Sequence, residues 1–523
     1  MRKKFRPKKK LTDRLARGLD NFIRIFSPRM AYAREAYRFA SEHMFSSYSG
    51  ASSARPNGSW IGTDNSADSD LIPELDTLRE RSRDMVRNDP IASAVIEAMT
   101  LGDIGTGIRP QSRLNNIMLG ISDTQAQTVQ REQEHAWEKW VPYADASQIS
   151  DFYELQTLAD RQILENGEAI FLIRRYQDGR GRYKLYLQSI ESDRLDTPGD
   201  LGRAEGVNIR GGVEYGKRNQ PIRYWIRKSH PGSSGKFYSP DSQEYISVEP
   251  FDRFGNPNIL HLYFVKRPGQ SRGVPFLTPI LMLLRDYGEY REAEIVAKRV
   301  RACFSMLVTT TDPYGASRGA ANTTNASGQR IEEMEPGMVK YLGPGEDITT
   351  IEPDKQADKS YEFMERLQRE AFAALGMPYE VMAKDFSGTT YTSGRMALLE
   401  AWRYFQVRQE WLNFKMNRPV WGMVQEQAYL SGDVSINNFY EMREEWTRTV
   451  WIPQGRQWVD PLKEVKAHVE AVNNYLGTID DSTKSQGKNY EDTITQRGRE
   501  KKLIKSVEQN NSVPITEGNQ NEN

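Results

Sequence analysis

Between residues 356 and 419 the hydrophobic positions fall at helical spacing twice in succession. In the first run Tyr361, Met364, Leu367, Phe372 and Leu375 recur with charged residues between them, which predicts an amphipathic helix. Gly376 stands just past its end, and Pro378 blocks continuation. A short stretch of turn formers, KDFSGTTYTSG, follows. The second run, from Arg395, holds no Gly or Pro before Pro419 and has two apolar faces. Leu398, Trp402, Phe405, Leu412 and Met416 make one, and Ala401, Tyr404, Trp411 and Phe414 make the other. A helix that is apolar on more than one side needs cover on more than one side, from its own chain or from a neighbouring subunit.

Upstream, the period alternates between helix and strand. LRERSRDMVRND, with Asp76 placed to cap it, and IASAVIEAMTLG, ending at Gly102, read as helices. Residues 124–141, ending in WEKWVP, and 151–165 read as two more, with Asn166-Gly167 as a break. EAIFLIRRY and YKLYLQSI alternate as strands around Asp178-Gly179-Arg180-Gly181. VEYGKRNQPIRYWIRK predicts a second hairpin turning near Asn219, and NILHLYFVK closes the region. Residues 168–266 thus predict a small antiparallel unit laid over helices, an α+β pattern. A long helix is expected over 279–307, then a flexible insertion at 311–330. The helix before Pro419 should continue past it with a kink. Val465, Val469, Val472 and Leu476 stripe an amphipathic helix that starts at Pro461. Residues 45–75 read as a long loop, and the end from about Lys505 as a tail without fixed structure.

Composition narrows the function. The chain has 523 residues, 38% hydrophobic and 27% charged, enough for two or three domains with a large core. Lys+Arg and Asp+Glu both number 71, which argues against a protein that coats nucleic acid by bulk charge. Residues 1–18 form a cationic arm without the apolar core of a secretory signal. Cys303 is the single cysteine, so an intrachain disulfide and a Cys-rich zinc site are excluded. No apolar run approaches a membrane span.

Candidate chemistry is sparse. Gly102, Gly105 and Gly107 close a helix rather than opening one, which is the wrong context for a phosphate loop. Gly269-Gln270-Ser271-Arg272-Gly273 matches G-x-S-x-G, but Pro268 spoils the strand end that a nucleophile elbow needs. Only His468 follows it as a base. A serine hydrolase is the minor alternative. The five histidines are scattered, and no cofactor, metal or catalytic constellation stands out.

RPGQSRGVPFLTPIL, ALGMPYEVMAKDFSGTTYTSGRMALLEAWRYF and VWIPQGRQWVDPLKEVKAHVEAV, taken in order, resemble the portal proteins of lambda-type tailed bacteriophages. VRNDPIASAVIEAMTLGDIGTGIRP, the WEKW helix and LYLQSIESDRLDTP with the GGVEY hairpin match in the same order. The resemblance covers roughly residues 75–500. It implies a non-enzymatic, ring-forming α+β portal fold with an α/β wing, a helical-hairpin stem, a small clip and a helical C-terminal crown. It implies a dodecameric ring at one capsid vertex of the virion, passing double-stranded DNA during packaging and ejection. Its partners would be the terminase large subunit, head-completion and tail connector proteins, and capsid and scaffold proteins, on particles assembled in the host cytoplasm. On this basis the wing spans 75–355, the stem and a short clip-like connection 356–419, the tunnel-loop region 420–460 and the crown 461–504. Residues 1–74 precede these and the tail is 505–523. Trp402, Phe405, Trp411 and Phe414 become subunit-contact candidates, and Arg448 and Arg456 candidates to face DNA in the channel. The runner-up is a head or connector scaffold protein without a channel.

Overall fold

The protein is described by a computed structural model over residues 64–177, 180–199, 208–233, 244–303, 307–310, 346–349, 359–455 and 460–511. The chain divides into two units, Met1–Ser66 and Ala67–Asn523, and the described helices and strands belong to the second. The cationic arm 1–18, the insertion 311–330, Arg456 and the residues from 512 lie outside the described residues.

Local signals set the helix ends. The Asp89 carboxylate accepts from the backbone N–H groups of Ile91 and Ala92, and Pro90 opens the helix Pro90–Asp103. Ser122 with Gln125, and Asp151 with Glu154, form reciprocal caps for the helices Asp123–Trp140 and Phe152–Asn166. Asp76 does not cap: Glu74 holds that position, and Asp76 sits in the first turn of Leu75–Asn88. Nor is 67–74 a loop. Ala67–Leu71 is a helical turn whose buried Asp68 accepts from the Ser271 N–H at 2.8 Å.

Gly167, at φ +88°, turns the chain into the strand Glu168–Arg174. This strand lies between Tyr186–Ile190 and Ile259–Tyr263 in a three-stranded antiparallel sheet. Its alternate residues serve two cores. Ala169, Phe171 and Ile173 join a tryptophan-rich cluster, while Ile170 and Leu172 face Val213, Tyr224 and Ile226. Those residues belong to a four-stranded antiparallel sheet that contains the hairpin Val213–Tyr215 and Pro221–Arg227. In the tryptophan cluster the Trp137 ring lies 5.0 Å from Trp140, 4.9 Å from Phe152, 5.5 Å from Trp421 and 5.7 Å from Trp451. Trp451 reaches it because Thr449–Ile452 pairs antiparallel with Arg109–Ser112.

The helix Tyr391–Leu412 passes through a π-helical turn, Asn413–Asn417, into Arg418–Leu430. Pro419 has no N–H for the helical ladder and its ring clashes one turn back, and the wide turn just before it absorbs both defects. The turn's side chains are held from outside. Gln156 donates to Asn417 Oδ1 at 3.0 Å, and Asn417 donates to Asn413 Oδ1 at 2.8 Å.

The expected helical hairpin 356–419 is not built. Lys359–Ala374 instead lies along Leu281–Cys303, with Tyr290 against Phe363 and Gln368 donating to Tyr287 Oη at 2.9 Å. These contacts run in opposite senses along the two helices, so the pair is antiparallel. It brackets residues 304–358, where Leu307–Thr310 and Glu346–Thr349 pair antiparallel. The upstream helix therefore ends at Cys303, not near 307. Three helices close the described residues: Pro461–Asn473, Ile479–Ser485 and Tyr490–Asn511. The last runs beyond 505, where the composition predicts a tail without fixed structure.

Candidate functional site

The long helix sorts its side chains onto two sides. Ala401, Phe405, Arg408, Leu412 and Met416 are buried in the chain's own core. Phe405 lies over Gly102 so closely that a Cβ there would sit 2.3 Å from the ring. It is therefore a core residue and not a subunit contact. Trp411 stacks on Phe264 with ring centroids 4.0 Å apart. Trp402 is half-buried against the cluster that holds Phe405 and Phe372. Of the four expected contact residues only Phe414 is largely free, at 61% exposed. Met396, Leu399 and Val407, outside the expected set, complete the outward stripe. Their signal is in the sequence, since 396, 399, 407 and 414 recur at helical spacing between Glu400, Arg403 and Glu410.

Arg408, a polar interruption in the apolar pattern, anchors the inner side. Its guanidinium bonds Asp103 and, at 2.7 Å, Asp160. The rings of Phe264 and Phe276 flank it at 5.0 and 5.8 Å. Burial, and then the charge of Asp160, push the Asp103 carboxyl well above the usual carboxylate range. A proton on Asp103 also hydrogen-bonds it to Asp160.

The G-x-S-x-G segment is a packing device. Ser271 is 1% exposed, and its Oγ bonds to nothing. A nucleophile must be reachable and activated by a base, so the segment is not that of a serine hydrolase. The working residue is Arg272. It meets Glu168 at 2.5 Å and donates to the carbonyls of Leu195, Gly211 and Ser192. Glu168 also accepts from Arg79 at 2.7 Å, from the Gly273 N–H at 2.9 Å and from His261 at 3.0 Å. Burial opposes the charge on Glu168, but Arg272 and Arg79 override it and hold the carboxyl well below its usual range. Burial also depresses His261, which fits a neutral ring donating from Nε2. A Cβ on Gly273 would lie 2.0 Å from the Gly167 carbonyl, so the motif's last glycine is needed for close approach.

The expected channel region is partly a strand. Thr449–Ile452 is paired, and Trp446 and Trp451 are core residues, so 445–460 is not one loop. Arg448 precedes the strand with its side chain 58% exposed, 3.9 Å from Glu445. Among the described residues no group of three or more His, Cys, Asp or Glu could hold a metal ion. Among them, too, no helix is long and apolar enough to cross a membrane.

The family model described as phage portal protein, lambda family, matches residues 53–409, more than half of the chain. A probable portal protein of Halomonas phage phiHAP-1 is 26% identical over 456 residues, covering 85% of this chain and 84% of that protein. Portal protein B of Escherichia phage lambda is 22% identical, covering 84% of this chain and 86% of its own. A chain from the virion of a native gene transfer agent particle aligns at 13% identity with TM-score 0.41, over 77% of this chain and 90% of that one.

Proposed function

The chain belongs to the lambda family of phage portal proteins, and from that premise we propose that twelve copies close into a ring at one vertex of the virion capsid. Double-stranded DNA passes through its channel during packaging and ejection. The ring docks the terminase large subunit first and head-completion and tail connector proteins afterwards, within a shell of capsid and scaffold proteins assembled in the host cytoplasm. It has no catalytic role of its own. The match over residues 53–409 carries this reading.

The structure supports a different division from the one the sequence suggests. The stem is the antiparallel pair Leu281–Cys303 and Lys359–Ala374, and the clip is the intervening 304–358 with its strand pair. That gives the clip a full segment of its own, which the tight connection after Gly376 could not. The outward stripe Met396, Leu399, Val407 and Phe414 then meets the neighbouring subunit. Such a head-to-tail contact closes when the rotation between copies closes. Exposed Arg448, once per subunit, adds weak and salt-screened contacts to phosphates, which suits sliding DNA. Arg456 shares that assignment on sequence grounds.

Electron microscopy of the purified protein tests the proposal. Rings with an axial hole are expected; closed discs or monomers would overturn it. Phe414→Glu should leave folded subunits that no longer form rings, seen by analytical ultracentrifugation.

A further inference from the structure

Among the described residues from Pro461 on, none is buried. They hold to the body by a few polar links. Gln111 donates to Asn489 at 2.6 Å, Arg113 pairs with Asp480 at 2.7 Å, and Arg395 lies 3.4 Å from Glu464. Beside these the backbones at Gly455 and Gly487 cross in direct contact. Next to that crossing is a cavity of about 360 Å³. Its walls are Arg109, Glu134, Glu138 and Tyr153 on the body, Asn489 just before the last helix and Asp492 in its first turn.

Glu134 is the group that matters here. Its carboxylate accepts from the Ser112 N–H at 2.9 Å. The groups acting on it are mostly of its own sign: Asp492 and Glu491 from the last helix, and Glu138 from its own. Arg109 lines the same cavity, but its guanidinium lies over the Tyr153 ring at 5.6 Å. His135, next to Glu134 in sequence, sits 3.8 Å from Glu138. Arg113 is engaged by Asp480.

We propose that the C-terminal helices are a proton-sensitive latch: they seat when Glu134 is protonated, and its ionisation opposite Asp492 and Glu491 loosens them from the body. Burial first, and then these acidic neighbours, push the Glu134 carboxyl from 4.5 up to about 7. A carboxyl raised in the docked state binds more protons docked than free. The part of that rise that Asp492 and Glu491 supply favours docking at low pH, and it is lost as pH rises through about 7. The device does not depend on ring formation.

Amide hydrogen exchange of residues 479–500, measured in the full-length protein at pH 6 and pH 8 and corrected for intrinsic rates, reads the docking. Protection should fall by up to about tenfold at pH 8. Glu134→Gln, which keeps the acceptor for Ser112, should stay protected at both pH values, and Asp492→Asn should shrink the change. Wild-type protection that ignores pH, or a pH response in Glu134→Gln equal to the parent's, would overturn the latch. Gly487→Val sets the scale for release. Its Cβ would lie 2.4 Å from the Gly455 nitrogen, so it should expose the helices at both pH values. Parental protection in that variant would show that the helices do not seat at this crossing, and would also reject the proposal.

Discussion

Around Glu168 one carboxylate answers Arg79, Arg272 and His261; around Arg408 one guanidinium answers Asp103 and Asp160. Both clusters are buried, and both join elements far apart in sequence. They differ in which charge is in excess. Where two buried arginines meet one buried carboxylate, with Asp193 reaching Arg79 only at 3.8 Å, Glu168 stays ionised, because an arginine cannot shed its proton at neutral pH: even Arg79, lowered by burial, comes down only to about 10. Where the anions outnumber the cation, a carboxyl takes up a proton instead, and Asp103 is driven upward. Excess positive charge must be matched by neighbours, whereas excess negative charge can be neutralised by solvent protons. The surrounding groups reflect this. Arg272 also donates to three carbonyls, while the proton on Asp103 bonds it to Asp160.

The sharpest way to break the contrast is Glu168→Gln. It leaves buried Arg272 without its carboxylate and Arg79 with only Asp193, 3.8 Å away, and should cost about 3–5 kcal/mol, seen as loss of soluble protein or a large drop in the denaturant midpoint. Arg408→Leu should cost less, about 2–3 kcal/mol at neutral pH, because the stranded carboxyls can protonate, and the deficit should shrink at pH 5. An unfolding series showing equal costs for these two variants would remove the distinction.

The pH profile should separate the clusters further. Glu168 is depressed, so its contribution is present above its unfolded value of 4.5 and lost as pH falls through its folded value. Asp103 is raised, so its contribution is present below its unfolded value of 3.8 and lost as pH rises through its folded value. Asp103→Asn should thus be nearly neutral, within about 1 kcal/mol, and should flatten the alkaline side of the stability curve. The smallest effect is expected from Ser271→Ala, about 0.5 kcal/mol or less, since that hydroxyl has no partner to lose. A fluorophosphonate adduct on Ser271 would contradict the packing role given to its motif.

The strands are legible in the sequence because alternation and turn residues are local signals. The hairpin around Asn219, which adopts φ +62°, and the break at Gly167 follow from them. Helix starts at Pro90 and Pro461 are legible for the same reason. The helix partnership is not. Adjacency in sequence matches Lys359–Ala374 with the helix after it, but it pairs with Leu281–Cys303 across the whole 304–358 segment. Amphipathic spacing does not say which helix covers which. The contact surface fails differently. Periodicity finds two apolar faces on the long helix but not which one meets the body, so it offers Phe405 as an outward residue. Arg272 and Arg408 cannot be picked out at all, because a buried arginine looks like an exposed one until its carboxylates arrive from elsewhere in the chain.

The π-helical turn at 413–417 fixes the length of the chain as well as its path. Each residue of an α-helix advances the side chains by about 100°. The wide turn takes up one extra residue with almost no added rotation, so the apolar pattern shifts phase in the sequence while the two halves of the rod stay in register. Upstream, the rod presents one face to the body. Downstream, Val420 through Glu426 are buried without interruption. Deleting a single residue elsewhere in the rod would rotate everything beyond it by that angle, carrying Trp421 out from among Trp137 and Trp451, whereas a deletion inside the wide turn would close it to an ordinary helix with both halves still in register. Substitutions can drift along the rod, but a deletion outside the wide turn would act like a gear tooth lost between two meshed wheels.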